Sequence, residues 1–341
     1  MPIRPARRTQ TPSARRDFLV RLAVAAALSG AAVLPAAQAA DAYPSRPVTL
    51  VTSFSVGSGP DTVLRLVADR LGKAWGQRVV VENRPGGAGF IAIDAFKRSA
   101  PDGYSLLQLD SEQLAALPHL YKSRNYDPDK IFDPVATLFI TPFLVSVSAQ
   151  SPWKSVSDLV AAAKAKPGQV TYGSWGIGSP GHLGGIALES EANLSMQHVP
   201  YKEVGQLYAA VSNQEVNWSM ATIASSQGPY QAGKLRYIAV AAPKRIPQMP
   251  EVPTVAESGG PASLDVNSFV VLLAPKGIPP AIRDKINADV AKIVADPEIK
   301  KRLDTFAFQT ISWSPEEIHR QVSAKSRTYQ KLIQKANVTL E

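Results

Sequence analysis

Short apolar runs alternate along this chain with amphipathic segments of helical period. Between residues 47 and 109 the pattern predicts strands at 47–51, 78–81 and 104–109, with helices opening at Pro60 and Phe90. Strands that alternate with helices in this way are typical of a parallel sheet in an α/β protein.

The same alternation continues through the rest of the chain. Apolar runs at 135–147 (broken by Pro142), 170–172, 197–199, 216–220, 235–240 and 268–273 predict further strands, and Pro128 and the segment 132–134 predict loops. No fixed-period repeat and no structureless linker interrupts the pattern. We therefore expect two interleaved lobes, with the chain crossing out of the first lobe near residue 141 and returning near residue 265.

Two glycine-containing loops each join a predicted strand to a predicted helix. The first loop covers residues 55–59 and precedes Pro60 and Asp61; the second follows Gly173 and ends at Ser179, which precedes Pro180. Serine before proline is typical of a helix start, because proline lacks an amide hydrogen that would have no partner there. Free backbone N–H groups and a positive helix end predict an anion site at each loop, facing a shared cleft.

The N-terminus is typical of an export signal. Five arginines within residues 1–16 precede an apolar run at 18–34 and the cleavage pattern Ala37-Gln38-Ala39, so residues 1–39 are predicted to be a signal peptide. The pair Arg15-Arg16 is similar to a twin-arginine signal, and both the twin-arginine and the general secretory route remain open. Removal of this segment takes away six Arg and one Asp, which lowers the net charge from +9 to +4.

The composition excludes several classes of function. The chain has no cysteine and no Lys/Arg run, which argues against disulfides, thiol catalysis and nucleic-acid binding. No pair of histidines has metal-ligand spacing, and we expect no metal, no cofactor and a monomer. The match of 176–181 to G-x-G-x-x-G is weak evidence for NAD, because Glu203 is poorly placed to bind the ribose.

An enzyme function, that of a serine hydrolase, is the alternative to a binding function. Ser174 stands one glycine short of the pattern Gly-x-Ser-x-Gly, and His182 and His198 are near in sequence. That function requires a histidine nitrogen within about 3 Å of Ser174 Oγ and a carboxylate behind the histidine.

Many short motifs together resemble one family, the Bug periplasmic solute receptors of tripartite tricarboxylate transporters. In chain order they include Tyr43-Pro44-Ser45-Arg46-Pro47, the loop 54–61, Glu82-Asn83-Arg84-Pro85-Gly86, Pro101-Asp102-Gly103-Tyr104, Tyr172-Gly173-Ser174, Val199-Pro200-Tyr201-Lys202, Val252-Pro253-Thr254 and Leu272-Leu273-Ala274-Pro275. The resemblance covers the chain beyond the signal segment.

This resemblance implies a two-lobed periplasmic-binding-protein fold of the type II kind, with two parallel-rich sheets flanked by helices around a central cleft. Lobe 1 is expected at residues 40–141 and 265–341, and lobe 2 at residues 142–264. The implied function is that of a non-enzymatic periplasmic receptor, which binds a small organic carboxylate and delivers it to a membrane permease. Backbone amides, small hydroxyls and bridging waters would hold the ligand, without an arginine clamp.

The candidate ligand-binding residues lie in the two glycine loops and after two further strands. They are Phe54, Ser55, Val56, Gly57, Ser58, Asp61, Ser111, Ser174, Trp175, Gly176, Ile177, Gly178, Ser179 and Thr222. For Asp61 a structural role at the helix start is favoured over ligand contact, and Trp175 is expected to form a wall of the cleft.

Two departures from the family's pattern concern the ligand. Asp110-Ser111-Glu112 replaces small neutral residues after the third strand, and Ala221-Thr222 replaces a frequent aspartate. If Asp110 or Glu112 faces the cleft, the charge disfavours a dicarboxylate and favours a monocarboxylate, an amino acid or an aromatic acid near Trp175. The alternative is that both carboxylates face solvent.

Overall fold

The computed structural model describes residues 43–340, which contain two five-stranded sheets and their flanking helices. The predicted signal peptide and its cleavage site lie outside the described residues. The strands are β1 (Val48–Thr52), β2 (Val79–Asn83), β3 (Ser105–Asp110), β4 (Phe132–Pro142), β5 (Leu144–Ser148), β6 (Thr171–Ser174), β7 (Gln197–Pro200), β8 (Trp218–Ala221), β9 (Leu235–Val240) and β10 (Asn267–Pro275). The α-helices are α1 (Gly59–Trp75), α2 (Phe90–Phe96), α3 (Ser111–Ala115), α4 (Leu117–Leu120), α5 (Pro128–Ile131), α6 (Val156–Ala165), α7 (Pro180–Ala192), α8 (Val204–Ser212), α9 (Ile223–Gln231), α10 (Pro280–Val294), α11 (Pro297–Asp304) and α12 (Pro315–Lys335).

Each sheet is mixed and has the same internal plan. The first sheet has the strand order β2-β1-β3-β10-β4, and the second β7-β6-β8-β5-β9. In each, the first three strands are parallel and the last two pair antiparallel. The two-lobed α/β fold is therefore confirmed, while the parallel-rich pairing expected from strand–helix alternation holds for only half of the pairings.

The chain passes between the sheets at two neighbouring points. Phe143 separates β4 from β5, and Val266 precedes β10. The Phe143 N–H donates to Val266 O at 3.0 Å, and the Val266 N–H donates to Ala241 O at 2.8 Å. The crossing segments are therefore hydrogen-bonded side by side between the lobe of the first sheet, called the first lobe here, and the lobe of the second sheet, called the second lobe.

Side-chain caps explain where the helices begin. Ser58, Ser179 and Ser314 each accept a backbone N–H of the first turn, and each precedes a helix with proline in its first two positions. These caps satisfy amides that have no partner within the helix. The helix starts predicted at the two glycine loops are therefore confirmed.

Buried apolar residues also connect the two lobes. Leu120 of α4, Leu183 and Ile186 of α7, and Tyr329 and Ile333 of α12 pack into one group with Ala115 and Ala116, called the interlobe cluster here. Since α7 belongs to the second lobe and α4 and α12 to the first, this cluster holds the lobes together on one side of the cleft.

The prediction of a loop at 132–134 is wrong. Strand β4 already begins at Phe132, and it pairs along its whole length with β10, from Phe132 opposite Pro275 to Pro142 opposite Asn267. Pro134 is accommodated because the register shifts opposite it, between Leu272 and Leu273.

Candidate functional site

A cavity of about 440 Å³ lies between the two lobes, at the carboxyl ends of β3 and β6. Its walls come from both lobes: Ala88, Asp110, Glu112, Gln113, Leu117, Tyr121 and Leu340 from the first, and residues 175–180 with Pro200 from the second. Crevices outside the carboxyl ends of parallel strands are the usual ligand sites of α/β sheets. A larger surface cavity of about 570 Å³ is lined by first-lobe residues alone, so its walls do not include both lobes.

The second glycine loop forms one wall of this cavity, but several of its N–H groups are already used. The Gly176 N–H donates to Ser174 Oγ at 3.2 Å, and the Ser179 N–H donates to Gly176 O at 3.2 Å. The Gly178 N–H donates to His182 Nδ1 at 3.0 Å. The expected fan of free amides is therefore reduced to those of Trp175 and Ile177, which donate to no acceptor within residues 43–340.

A stacked pair of histidines, of which His182 is buried and His198 is half-buried, supports the second loop from behind. The rings of His182 and His198 stack with centroids 4.0 Å apart, and the His198 ring lies 5.0 Å from that of Tyr172. Burial, and secondarily the neighbouring His198, lowers the pKa of His182 to about 3. Burial likewise lowers the pKa of His198 to about 4. Both rings are therefore neutral at pH 7, as the hydrogen bond accepted by His182 Nδ1 requires.

Ser174 meets half of the requirement for a hydrolase. Its Oγ lies 2.7 Å from His198 Nε2 and 2.9 Å from Gly176 O. However, Ser174 is completely buried, and no carboxylate pairs with His198 among the described residues. A nucleophile without access to a substrate or an acid behind its base does not form a catalytic triad. The Ser174–His198 pair instead holds the start of the loop, and the hydrolase alternative is not supported.

The first glycine loop lies outside the cavity lining. Ser55, Val56 and Gly57 are exposed, with Val56 at 73 %. Phe54 is half-buried and its carbonyl accepts the Asn83 side chain, while Ser58 caps α1. The loop reaches the cavity only indirectly, because Ser53 Oγ donates to Gln113 Oε1 at 3.0 Å.

Asp61 has the structural role that the sequence favoured. It is buried, and its carboxylate accepts the Gly57 N–H at 2.8 Å, Asn83 Nδ2 at 2.7 Å and Arg65 Nε at 3.1 Å. Burial raises the pKa of this carboxyl, but the hydrogen bonds from Arg65, Asn83 and Gly57 outweigh burial and lower it overall. Asp61 therefore holds the first loop against α1 and β2.

The segment 110–112 is a capped helix start and not an open loop. Asp110 Oδ1 accepts the Gln113 N–H at 2.8 Å, and Gln113 Oε1 accepts the Asp110 N–H at 3.1 Å, which is a capping box at the start of α3. Ser111 is fully buried and donates to Glu112 Oε2 at 3.0 Å. Asp110 and Glu112, whose orientation the sequence left open, are both among the residues that line the cavity.

Glu112 is neutralised within the protein. Its carboxylate accepts Tyr329 OH at 2.7 Å and Ser268 Oγ at 2.5 Å, and Lys325 Nζ lies 3.2 Å away. The glutamate and the lysine side chains are 2 % and 14 % exposed. This buried network joins α3 to α12 and to β10, at Ser268, two residues after Val266.

Thr222 caps α9 through its Oγ1, which accepts the Ser225 N–H at 3.2 Å, and it does not line the cavity. The start of α9, not that of α7, lies against the start of α1: a β-carbon placed on Gly59 would lie 3.4 Å from Ala224 Cβ. The start of α7 instead faces α4, where a β-carbon on Gly178 would lie 2.5 Å from Leu120 Cδ1.

Several cavity residues were not among the candidates chosen from the sequence. They are Leu117, Tyr121, Pro200 and Leu340, of which only Pro200 belongs to a family motif. Leu340 is held there by its N–H, which donates to Leu120 O at 2.8 Å. Residues 43–340 contain no group of His, Asp or Glu that could hold a metal ion. No helix in the same range has the length and apolarity that crossing a membrane requires.

The fold and the interlobe cavity together define a two-lobed solute-binding protein, and comparison with known proteins identifies its family. Residues 63–338 match the family model of the tripartite tricarboxylate transporter family receptor (TctC). The chain belongs to this family.

A relative and two solved structures illustrate the match. Protein BugT of Bordetella pertussis is 30% identical over 234 residues, which cover 68% of this chain and 72% of BugT, and it confirms the resemblance to the Bug family. The structure of R. palustris Rpa4515 with adipate has a TM-score of 0.79 and 30% identity, covering 87% of this chain and 99% of that chain. MatC of Rhodopseudomonas palustris with bound malate has a TM-score of 0.75 and 27% identity, covering 85% and 100%.

Proposed function

We propose that this protein is a periplasmic receptor that binds a small organic carboxylate between its lobes and delivers it to a tripartite tricarboxylate-type membrane permease. One observation carries the proposal: the cavity has walls from both lobes of a TctC-family chain, so an occupant contacts both lobes at once. A ligand held in this way stabilises the closed arrangement of the lobes.

The binding residues follow from the cavity walls. The amides of Trp175 and Ile177 and the positive end of α7 would hold the carboxylate, and Ser179 lies beside them. The related structures with adipate and malate contain carboxylates of the size that about 440 Å³ accommodates.

The lobes would move as units about the two crossings. We assign residues 40–141 and 265–341 to the first lobe and residues 142–264 to the second, with Phe143 and Val266 at the hinge. The exposed loop 55–57 would approach the ligand when the lobes move, since it follows β1 and Ser53, whose Oγ donates to Gln113 of the cavity lining. We further propose a monomer that acts without catalysis.

A thermal-shift screen tests the binding function. The purified exported protein is heated with adipate, malate, succinate, pentanoate, benzoate or glutamate, with glucose as the neutral control. A ligand at a hundred times its Kd adds about 2.7 kcal/mol to the unfolding free energy, which raises Tm by about 5 °C for a chain of this size. Stabilisation by glucose alone, or by none of the acids, would contradict the proposal.

Export is tested separately. Replacing Arg15 and Arg16 by lysine blocks accumulation in the periplasm if the twin-arginine route is used, because that translocase recognises the arginine pair. Unchanged accumulation assigns the general secretory route, and retention of the wild-type protein in the cytoplasm contradicts the periplasmic assignment.

A further inference from the structure

The interlobe cavity has an unbalanced charge. Its lining contains Asp110 and Glu112 and no lysine, arginine or histidine among the described residues. Glu112 is compensated by Lys325 and by three hydroxyl groups. Asp110 forms no ion pair, since no cationic side chain within residues 43–340 lies within 4 Å of its carboxylate, and the charge of Lys325 acts on it only from a greater distance.

The Asp110 carboxylate is also held in a fixed position. Oδ1 accepts the Gln113 N–H at 2.8 Å, while Gln113 is itself held by the Asp110 N–H and by Ser53 Oγ. Among the described residues no side chain donates to Asp110 Oδ2. Burial, and then the nearby Glu112, raises the pKa of Asp110 to about 7, because these two effects outweigh the lowering by the Gln113 amide and by the charge of Lys325.

The remaining walls are largely apolar. Leu117 and Leu340 lie in the first lobe, and Trp175 and Ile177 lie opposite in the second. Trp175 is fixed in place by stacking on Phe143, with ring centroids 5.8 Å apart. A ligand that fits this lining has a hydrocarbon or aromatic body between its polar ends.

We propose that the preferred ligand is an amino acid-type zwitterion, whose ammonium group pairs with Asp110 while its carboxylate binds at the 175–179 loop. The proposal rests on the proposed receptor function and specifies the ligand class. An ammonium supplies the missing cation at Asp110, whereas the second carboxylate of a dicarboxylate meets a like charge there. A plain monocarboxylate leaves Asp110 unpaired.

Calorimetry with matched ligands tests the proposal. One series is 5-aminopentanoate, pentanoate and glutarate, which differ only in the distal group; a second is 4-(aminomethyl)benzoate and 4-methylbenzoate, which have an aromatic ring between the two ends. We expect the amino member of at least one series to bind about tenfold to hundredfold more tightly than its partners, since a hydrogen bond to a charged group has that strength. Adipate and malate are included as plain dicarboxylates.

Asp110→Asn is the diagnostic variant. Asparagine also caps a helix, so α3 is retained, and the preference for the amino ligand is lost. Asp296→Asn is the matched control. Like Asp110, Asp296 caps a helix (α11) by accepting backbone amides, those of Glu298 and Ile299, but it does not line the cavity. The control variant keeps the full preference. If circular dichroism shows that Asp110→Asn does not fold, the affinities of the wild-type protein for the amino ligands and for their partners test the proposal.

The outcomes separate this inference from the receptor function. Binding of pentanoate, glutarate, adipate or malate as tight as that of the amino ligands, or a preference unchanged in Asp110→Asn, overturns the role of Asp110 and leaves the receptor function standing. Binding of none of the acids by the wild-type protein overturns both.

Discussion

Alanine at Gly178 is expected to force the two lobes apart. Gly178 lies in the second lobe with φ +82°, and its added β-carbon would stand 2.5 Å from Leu120 Cδ1 of the first lobe. Leu120 is fully buried in the interlobe cluster, and its carbonyl accepts the Leu340 N–H. The leucine therefore cannot move away without disturbing the packing between the lobes.

The expected cost has two parts. A non-glycine residue in the left-handed region costs about 1–2 kcal/mol. The close contact must open by about 1 Å to reach normal van der Waals distance, and overpacking of this kind costs about 1–3 kcal/mol more. Separation of the lobes relieves the overpacking but not the backbone strain. The overpacking therefore destabilises only the closed state, and ligand affinity falls about fivefold to 150-fold.

Gly233→Ala is the matched control for this substitution. Gly233 has φ +66° and lies in the same lobe, but a β-carbon there has no neighbour within 4 Å. Urea unfolding should show the backbone cost in both variants and the additional cost only in Gly178→Ala, for which small-angle X-ray scattering should give a larger radius of gyration. Equal unfolding, equal affinity and equal radius in the two variants would refute the contact.

Three further predictions concern buried charges. The low folded pKa values of His182 and His198 mean that stability is complete above pH 6.5 and falls by about 1.4 kcal/mol per pH unit for each ring as the pH drops towards 4. His198→Gln should reduce this slope in urea titrations, and an unchanged slope would contradict the contribution of this ring. Because the pKa of Asp110 is raised, the folded state retains a proton that the unfolded chain loses near pH 4, and stability is lost as the pH rises towards 7. Asp110→Asn, with Glu112 and Lys325 unchanged, should therefore be more stable than wild type at pH 8 and not at pH 4. Lys325→Met should cost about 3–5 kcal/mol because Glu112 becomes an unpaired buried charge, and the double variant with Glu112→Gln should recover part of the loss in the same assay.

Local pattern was enough to place nearly all strands and the two glycine loops. The apolar runs and the Ser-Pro and Gly-Pro helix starts depend on neighbouring residues, so periodicity and cap chemistry identify them. Antiparallel pairing was not visible in this way, because β10 joins the first sheet only after the chain has completed the second lobe.

The site depended more strongly on contacts that are distant in sequence. Glu112 is hydrogen-bonded to Tyr329, which is 217 residues away in sequence. The sequence alone therefore could not show whether the Glu112 charge faces a ligand in the cleft or is compensated by other side chains of the protein. Leu340 reaches the cavity only because the segment after α12 lies against Leu120. The hydrogen bond from the Gly178 N–H to His182 Nδ1 joins residues only four apart in sequence. This spacing indicated that the amide could be occupied, and the prediction of free amides overlooked it.

Recognition of a carboxylate between the lobes is tested by comparing an acid with its primary amide. The acid that gives the largest thermal shift is titrated calorimetrically into the wild-type protein, alongside its primary amide, which has the same shape without the charge. The account predicts one site per chain for the acid and affinity about tenfold to hundredfold weaker for the amide. Equal binding of acid and amide would contradict recognition of a carboxylate between the lobes.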